Sequence, residues 1–382
     1  MRSTKNIAIL GSTGSIGQSA LDVIRSVEGL KVVGLSGHSR LDLLTKQAEE
    51  FQPRFVVATD PETRDSFQLS GLKQTEVLSG PDALEAMVTS PEVDIVLAAI
   101  VGKAGLDSTW AAIAAGKTVA LANKETLVVA GNLITELAKS SGATIIPVDS
   151  EHSAVFQALA AGNASEVRRI VLTASGGPFR DFCADQLRHV TVEQALAHPT
   201  WEMGQKISID SATMMNKSLE IVEARWLFSL RYDQIDVVIH PQSIVHSLVE
   251  FNDGSVIAQL SPPDMKLPIQ YAFTYPARVA GICSRLDFTS AMKWEFSPPD
   301  LQRFPALELG YEVARFGGTT GAVLNAANEA AVAAFLNRQI SFTDIATACR
   351  KILDQHHYEP HPTLEAILAA DRWARNELTK WT

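Results

Sequence analysis

The chain has 382 residues, of which 46% are hydrophobic and 20% charged, and its formal net charge is -10. That length accommodates two or three domains of an ordinary soluble globular protein. The acidic balance argues against nucleic acid as the main partner, because a phosphate backbone needs a basic surface; a small anion is still compatible with a few cations gathered in one cleft. Cys183, Cys283 and Cys349 lie far apart without metal-ligand spacing and read as free thiols of a reducing compartment. The apolar stretch Asn6–Leu10 begins almost at once, so no leader is expected, and no apolar run is long enough to span a bilayer. The expected setting is the cytoplasm, with no membrane partner.

Asn6–Leu10 reads as a strand, GSTGSIG follows, and Gln18–Val27 has helical periodicity with Ala20, Leu21 and Ile24 on one face. Strand, glycine turn and helix form the context of a dinucleotide-binding turn. Gly11, Gly14 and Gly17 let the backbone approach a pyrophosphate, and the helix offers its unpaired N–H groups and positive end. A second strand, Lys31–Ser36, ends in Gly37-His38-Ser39-Arg40. An NAD site usually has an acidic residue here for the ribose hydroxyl. None is present, and His38, Ser39 and Arg40 suit a 2′-phosphate, so NADP is the expected cofactor. Arg40 also fits a solvated charge opening the next helix.

The α/β alternation continues through strands expected at Arg54–Thr59, Asp94–Ala99, Thr118–Ala122 and Ala143–Val148. Asn123-Lys124-Glu125 and Asp149-Ser150-Glu151-His152 follow the last two, at strand carboxyl ends where open sheets bind ligands. Asn123 alone fits a helix cap equally well. In extended backbone Asp149 and Glu151 point the same way and converge, which suits a hard cation such as Mg²⁺ or Mn²⁺. The same pair fits helix capping before an amphipathic helix over Ser153–Ala161; a third carboxylate nearby would decide for the cation.

Val167–Thr173 reads as a strand ending in Ala174-Ser175-Gly176-Gly177, where a hydroxyl and exposed N–H groups suit an anion or a plain turn. Ser211–Leu230 reads as one helix, with Asn216 and Glu220 sharing a face and Lys217 beside them. That grouping makes sense for a ligand with a phosphate at one end and metal-chelating oxygens at the other. Asp236–His240 is an expected strand, and Ser247–Phe251 and Ser255–Leu260 an expected hairpin. His240 and His246 read as hydrogen-bonded structural histidines. Trp294–Phe304 reads as a linker, and Ala306–Phe316, Ala322–Asn337, Phe342–His356 and Thr363–Lys380 as a small helical bundle. Asn328 and Glu329 read there as surface or cap groups.

Taken together, GSTGSIG, LANKE, PVDSEHSA, TASGGPF, HPTWEMGQKISIDSATMMNKSLE and IHPQSIVHSLVEFNDGS resemble the 1-deoxy-D-xylulose 5-phosphate reductoisomerase family over essentially the full length. The resemblance implies an α/β protein. Its N-terminal Rossmann-like NADP domain would span 1–149, a central α+β catalytic domain 150–288, a linker 289–305 and a C-terminal helical bundle 306–382, in a homodimer. It implies a metal site of Asp149, Glu151 and Glu220. It places Ser175, Ser211, Asn216 and Lys217 on the phosphate of a sugar phosphate, and Lys124, Ser150 and His198 on the rest. His198–Gly204 becomes a flap closed by Trp201 and Met203. NADPH would lie on Gly11, Thr13, Gly14, Ser15, Ile16, Gly37, His38, Ser39, Asn123, Glu125 and Gly204. Lys124, Asp149, Glu151, His198 and Glu220 would carry the chemistry. His38-Ser39-Arg40 departs from the Lys or Arg followed by Asn that many members have.

Two other readings compete. A semialdehyde dehydrogenase needs an activated cysteine, and none of the three has an obvious activating partner in sequence. An NADP-binding sensor has no need of three carboxylates and Lys217.

Overall fold

A computed structural model of the chain describes residues 4–381 apart from positions 61, 63–66, 70, 81 and 202. Glu202, inside the expected flap, therefore lies outside the described residues. The chain forms two compact units, one of residues up to Thr126 with Ile134–Ser153 and Asp264–Ser284, the other of Leu127–Leu133, Ala154–Pro263 and the chain from Arg285 on.

In the first part of the chain, β1 (Lys5–Leu10), β2 (Leu30–Gly37), β3 (Phe55–Ala58), β4 (Glu76–Leu78), β5 (Ile95–Ala98), β6 (Thr118–Leu121) and β7 (Thr144–Pro147) alternate with helices. The helices are α1 (Ser15–Ser26), α2 (Leu41–Phe51), α3 (Ala83–Thr89), α4 (Leu106–Ala114), α5 (Glu125–Ser141) and α6 (Ser150–Leu159). The strands pair in parallel in the order β4-β3-β2-β1-β5-β6-β7. Setting β4 aside, this is the Rossmann order, reversing between β1 and β5. The strands are short and almost wholly apolar, as they must be when crossovers cover both faces. α1 buries Ala20, Leu21 and Ile24, the face expected from its periodicity. Because every strand points the same way, the Gly11 turn, Ile100, Asn123 and Asp149 all come to one edge of this sheet.

Three further helices, α7 (Ala184–Leu187), α8 (Val192–Leu196) and α9 (Gln205–Thr213), precede α10 (Met215–Leu227). β8 (Val167–Ala174), β9 (Ile235–Ile239), β10 (Val245–Phe251) and β11 (Val256–Leu260) form a second sheet in the order β11-β10-β8-β9. β10 and β11 make the expected hairpin, while β8 and β9 run parallel. α11 (Lys266–Thr274) returns to the first unit, packing on α1, β6 and β7. The expected helical bundle forms as α12 (Ala306–Phe316), α13 (Thr320–Leu336), α14 (Asp344–Gln355) and α15 (Leu364–Trp381). One continuous apolar core joins these helices to β8–β10, α9 and α10.

Packing accounts for several departures from the sequence reading. The expected single helix over 211–230 is two, α9 and α10, separated by Met214 in the left-handed region at φ 64. No glycine or proline marks the break. Met214 is 3% exposed, and burial in the core holds a non-glycine residue in a conformation that costs about 1–3 kcal/mol. The linker is fastened: Ser297 pairs with Ile239, Phe296 stacks on His240 at 4.6 Å, and Arg303 donates to the carbonyls of Arg180 and Phe182. His240 is structural as expected, with Nδ1 2.9 Å from the Glu295 carbonyl and Nε2 accepting from Ile244 and Val245. Asn328 is not a surface group; it is fully buried and donates to Asp210 Oδ1 at 2.8 Å. Glu329 is ion-paired to Arg375 at 2.7 Å. Finally, α12 meets α10 closely at Gly310, where an added Cβ would lie 2.5 Å from Ser218 Cα. Ser218 lies between Lys217 and Glu220, so this contact backs the polar turn of α10.

Candidate active site

At the end of β1 the chain turns through Gly11 at φ +81, where an added Cβ would lie 3.0 Å from the Ala99 carbonyl oxygen, and one on Gly17 would lie 2.4 Å from the Gly11 oxygen. Only glycine closes this turn so tightly onto β5 and α1. The turn is fixed from beneath: Ser36 Oγ accepts from Gly11 N–H at 2.9 Å, and the Gln47 amide brackets Ser12, accepting from its hydroxyl and donating to its carbonyl. Thr13 is buried behind Gly14, and Ser15 and Ile16 open α1. α1 has neither a side-chain cap nor an acidic residue in its first turn, so its positive end is uncompensated by its own residues. Gly37 is buried at the end of β2, with His38, Ser39 and Arg40 exposed beyond it. His38 Nδ1 is 3.2 Å from Thr59 Oγ1, and Arg40 donates to the Thr13 carbonyl. Arg40 thus reaches the glycine turn while standing exposed at the start of α2, as its alternative reading expected.

At the end of β6, Asn123 is engaged throughout its side chain. Its amide donates to the carbonyls of Ile100 and Gly102, and its Oδ1 accepts from the N–H and hydroxyl of Thr126 at 2.9 Å each. The side chain stitches β5 to β6 and caps α5. Lys124 Nζ lies 2.6 Å from Asp149 Oδ2, and His152 Nδ1 3.5 Å from Asp149 Oδ1. Glu125 is buried beside them in sequence. Burial opposes ionisation of Asp149, but Lys124 and His152 outweigh it and hold its carboxyl well below the usual carboxylate range.

The carboxylates of Asp149 and Glu151 do converge, with oxygens within 4.8 Å, but not through extended backbone. The helix starts at Ser150, three residues earlier than expected, so Glu151 is already helical and Asp149 sits at the junction. Asp149 Oδ1 is 3.4 Å from the Glu151 N–H, and Ser150 Oγ donates to Glu151 Oε2 at 2.5 Å. Acidic residues at a helix start are favoured by its dipole, which explains the earlier start.

In the second unit the loop after β8 turns through Gly176 and Gly177, both left-handed, and an added Cβ at Gly177 would lie 2.8 Å from the Ser211 carbonyl oxygen. The Ser175 loop is thereby laid against α9 at Ser211. His198 Nδ1 accepts from the backbone N–H groups of Thr200 and Trp201 at 3.2 and 2.9 Å. The proton of the neutral ring therefore sits on Nε2, which donates to Ser175 Oγ at 3.2 Å. Ser175 Oγ also accepts from Gly177 N–H at 3.2 Å, so its own hydrogen is the donor left for a ligand. Trp201 and Met203 are partly buried, and Gly204 is the residue from which α9 starts.

Burial and the nearby Arg180 hold His198 below its ordinary pKa of 6.5, keeping the ring neutral. A depressed histidine stabilises the fold above 6.5, and that contribution is lost as pH falls from 6.5 through the lowered value. We expect the thermal-midpoint advantage of wild type over His198→Gln to shrink on acidification below pH 6.5. A gap independent of pH would show that His198 does not act as a neutral acceptor.

The break at Met214 has a chemical consequence, because it creates a helix N-terminus at Asn216 and Lys217. α10 has no side-chain cap and no acid in its first turn. Lys217 and Glu220 form a buried pair, with Nζ 2.5 Å from Oε2, and Asn216 Nδ2 donates to Glu220 Oε1 at 2.5 Å. One turn thus presents an ammonium, an amide, a dipole end and a buried carboxylate.

Residues 7–131 match the family model described as 1-deoxy-D-xylulose 5-phosphate reductoisomerase, and 145–228 and 260–377 match its C-terminal domain models. A 1-deoxy-D-xylulose 5-phosphate reductoisomerase of Rhodopirellula baltica is 50% identical over 430 residues, spanning 98% of this chain and 94% of the relative. The chain belongs to the 1-deoxy-D-xylulose 5-phosphate reductoisomerase family. Among solved structures, a DOX-P reductoisomerase in complex with NADPH, fosmidomycin and magnesium is 44% identical with a TM-score of 0.91, covering 98% of each chain. The reductoisomerase of Zymomonas mobilis in complex with NADPH is 42% identical with a TM-score of 0.92, covering 99% of each.

For this reductoisomerase family member, reading the sequence missed His152, which lies three residues along α6 from Asp149; that spacing was the available signal. It also missed that Asp210 on α9 pairs with Lys206 at 2.7 Å and accepts from Asn328 on α13, since nothing in sequence marks α13 as a partner of α9. The rival dehydrogenase reading gains no support, because burial pushes the Cys283 and Cys349 thiols up, away from the thiolate.

Proposed function

We infer that this chain converts 1-deoxy-D-xylulose 5-phosphate into 2-C-methyl-D-erythritol 4-phosphate, rearranging the carbon skeleton and reducing the resulting aldehyde with NADPH. Membership of the reductoisomerase family along the full length supports the reaction. The feature of the molecule that carries it is the first turn of α10, which groups Asn216, Lys217 and Glu220 at a newly made helix N-terminus.

Asp149, Glu151 and Glu220 would hold the divalent cation, Mg²⁺ or Mn²⁺. The donor set fits: all the donors are hard carboxylate oxygens, Asp149 is held ionised, and Glu220 keeps a buried charge beside Lys217. When bound, the cation supplies Lewis acidity that polarises the substrate ketone and acidifies a neighbouring hydroxyl, and NADPH supplies the reducing equivalents. The remaining work falls to the protein. Lys217, Asn216, Ser211 and Ser175 grip the phosphate, so binding energy remote from the reacting carbons fixes their position. Lys124 and Ser150 orient the hydroxyl end, and neutral His198 holds the loop that ends in Trp201. Trp201 and Met203 close over the substrate and exclude water. Gly11, Thr13, Gly14, Ser15 and Ile16 receive the pyrophosphate, with Gly37, His38, Ser39 and Arg40 at the 2′-phosphate and Asn123, Glu125 and Gly204 along the nicotinamide half.

The same reading assigns 1–149 to the cofactor, 150–288 to chemistry and dimer contact, 289–305 to the link and 306–382 to helical support. It places the protein in the cytoplasm, in keeping with three free thiols; among the described residues no helix is long and apolar enough to cross a membrane. It makes the protein a homodimer. β11 is an edge strand with Val256 and Ile257 exposed, and Phe288, Met292 and Phe296 are exposed further along the chain. Light scattering should give twice the chain mass, and a monomer at micromolar concentration would overturn this assembly.

The deciding assay mixes the protein with 1-deoxy-D-xylulose 5-phosphate and NADPH, with and without Mg²⁺. NADPH should be consumed only with the metal and the keto-sugar phosphate together. Folded protein that consumes none with both present would rule out the reaction.

A further inference from the structure

We propose that Asn328, on α13 of the C-terminal bundle, is a positioning residue for the substrate phosphate, acting through Asp210 on α9. Asn328 is fully buried, and its amide donates to Asp210 Oδ1 at 2.8 Å. The other oxygen of Asp210 meets Lys206 Nζ at 2.7 Å. Asp210 immediately precedes Ser211, and Lys206 lies in the first turn of α9, directly after Gly204 where the His198–Gly204 segment ends. One buried carboxylate is thus held by the bundle on one side and holds the entry of α9 on the other.

The local preferences of α9 do not explain this pair. A cation in the first turn faces the positive end of the helix dipole, and lysine four residues before an acid is the less favourable order on a helix. Lys206 would sit better elsewhere if helix stability were the only demand. Its position follows if Asp210 is the fixed point and Lys206 ties the end of the flap segment to it. Asn328 supplies the fixing: a neutral amide in an apolar helix otherwise favours replacement by an aliphatic residue, but an aliphatic residue there would leave the buried Asp210 oxygen without this donor. The polar row continues along α13, where Asn325 donates to Glu329 at 2.9 Å and Glu329 pairs with Arg375 of α15. These contacts fasten α13, the helix that carries Asn328, to α15.

This inference rests on the reading that Ser211 and Lys217 hold the phosphate, and the test separates the two. Asn328→Ala, Lys206→Met, their double variant and Ser211→Ala are compared in the full chain for KM of the sugar phosphate, KM of NADPH, kcat and thermal midpoint. We expect each of the first two to raise the sugar-phosphate KM about tenfold, the factor that 1.4 kcal/mol represents. kcat and the NADPH KM should change little. The double variant should stay near tenfold, because both substitutions cut the same chain through Asp210. A purely structural Asn328 would instead lower the thermal midpoint and the active fraction with KM unmoved, and that result overturns the proposal. So does a double variant near a hundredfold, which would mean independent effects. Lys206 is partly exposed, so Lys206→Met carries the test alone if Asn328→Ala fails to fold; an unchanged KM for it is decisive against the idea. An unchanged KM for Ser211→Ala overturns the phosphate reading and this inference with it, whereas a raised KM there with unmoved Asn328 and Lys206 variants overturns the inference alone.

Discussion

Glu220→Gln should abolish turnover while NADPH binding survives. Glu220 lies on α10 with both carboxylate oxygens engaged, one by Asn216 and one by Lys217. Glutamine keeps the shape and one acceptor but removes the charge that a divalent cation needs. Lewis-acid stabilisation is worth several kcal/mol, so kcat is expected to fall by about a thousandfold or more at tenfold per 1.4 kcal/mol. The substitution also removes the Glu220 charge beside the buried Lys217 ammonium, and breaking a buried pair costs about 3–5 kcal/mol of stability. The thermal midpoint should drop for that reason, so the comparison must be made where the variant is folded. NADPH binding, followed by fluorescence, reports on the Gly11 turn in the other unit and serves as the folding control. Glu220→Asp preserves charge and should retain more activity than the glutamine variant. Wild-type turnover in Glu220→Gln would remove Glu220 from the metal site.

Lys217→Ala should raise the KM for the sugar phosphate by well over tenfold, since a desolvated contact to phosphate is worth more than about 1.4 kcal/mol. The buried pair adds a second, opposite effect. Lys217 Nζ sits 2.5 Å from Glu220 Oε2, so ammonium and cation compete for the same carboxylate. Without Lys217 that competition is gone, and the apparent affinity for Mn²⁺ or Mg²⁺ should be unchanged or tighter even as substrate binding weakens. Lys217→Met, which fills the space left by the stem, should show the same split with less loss of stability. Substrate and metal affinities weakening together would mean that the substitution had merely disordered α10. An unchanged KM would place the phosphate elsewhere.

Some of this site is legible because it is local. Asn216 and Glu220 face the same way because they are four residues apart on a helix, and they do meet. The glycine turn was readable because strand, glycines and amphipathic helix are adjacent in sequence. The start of α6 was not: the apolar pattern begins at Ser153, but the dipole favours Asp149 and Glu151 at an earlier helix start. Asn123 looked like a ligand or a cap. Two of its four side-chain bonds reach the carbonyls of Ile100 and Gly102 beyond β5, more than twenty positions away, and the other two hold Thr126 at the start of α5.

The amino-acid sequence by itself determined the alternation of apolar strands and amphipathic helices, hence the parallel sheet, its carboxyl edge and the residues that gather there. It also determined the chemistry on offer, since carboxylates, an ammonium and hydroxyls are properties of side chains. The tertiary structure decided where α9 stops and α10 begins. Met214 carries no glycine signal, and only burial in the shared core holds it left-handed. That one residue turns a continuous helix into a helix N-terminus at Asn216 and Lys217, because the break ends the backbone ladder of α9 and starts a new one, with its own positive dipole end, at Met215. The burial of Asn328 against Asp210 was decided in the same way, by the meeting of segments more than a hundred positions apart.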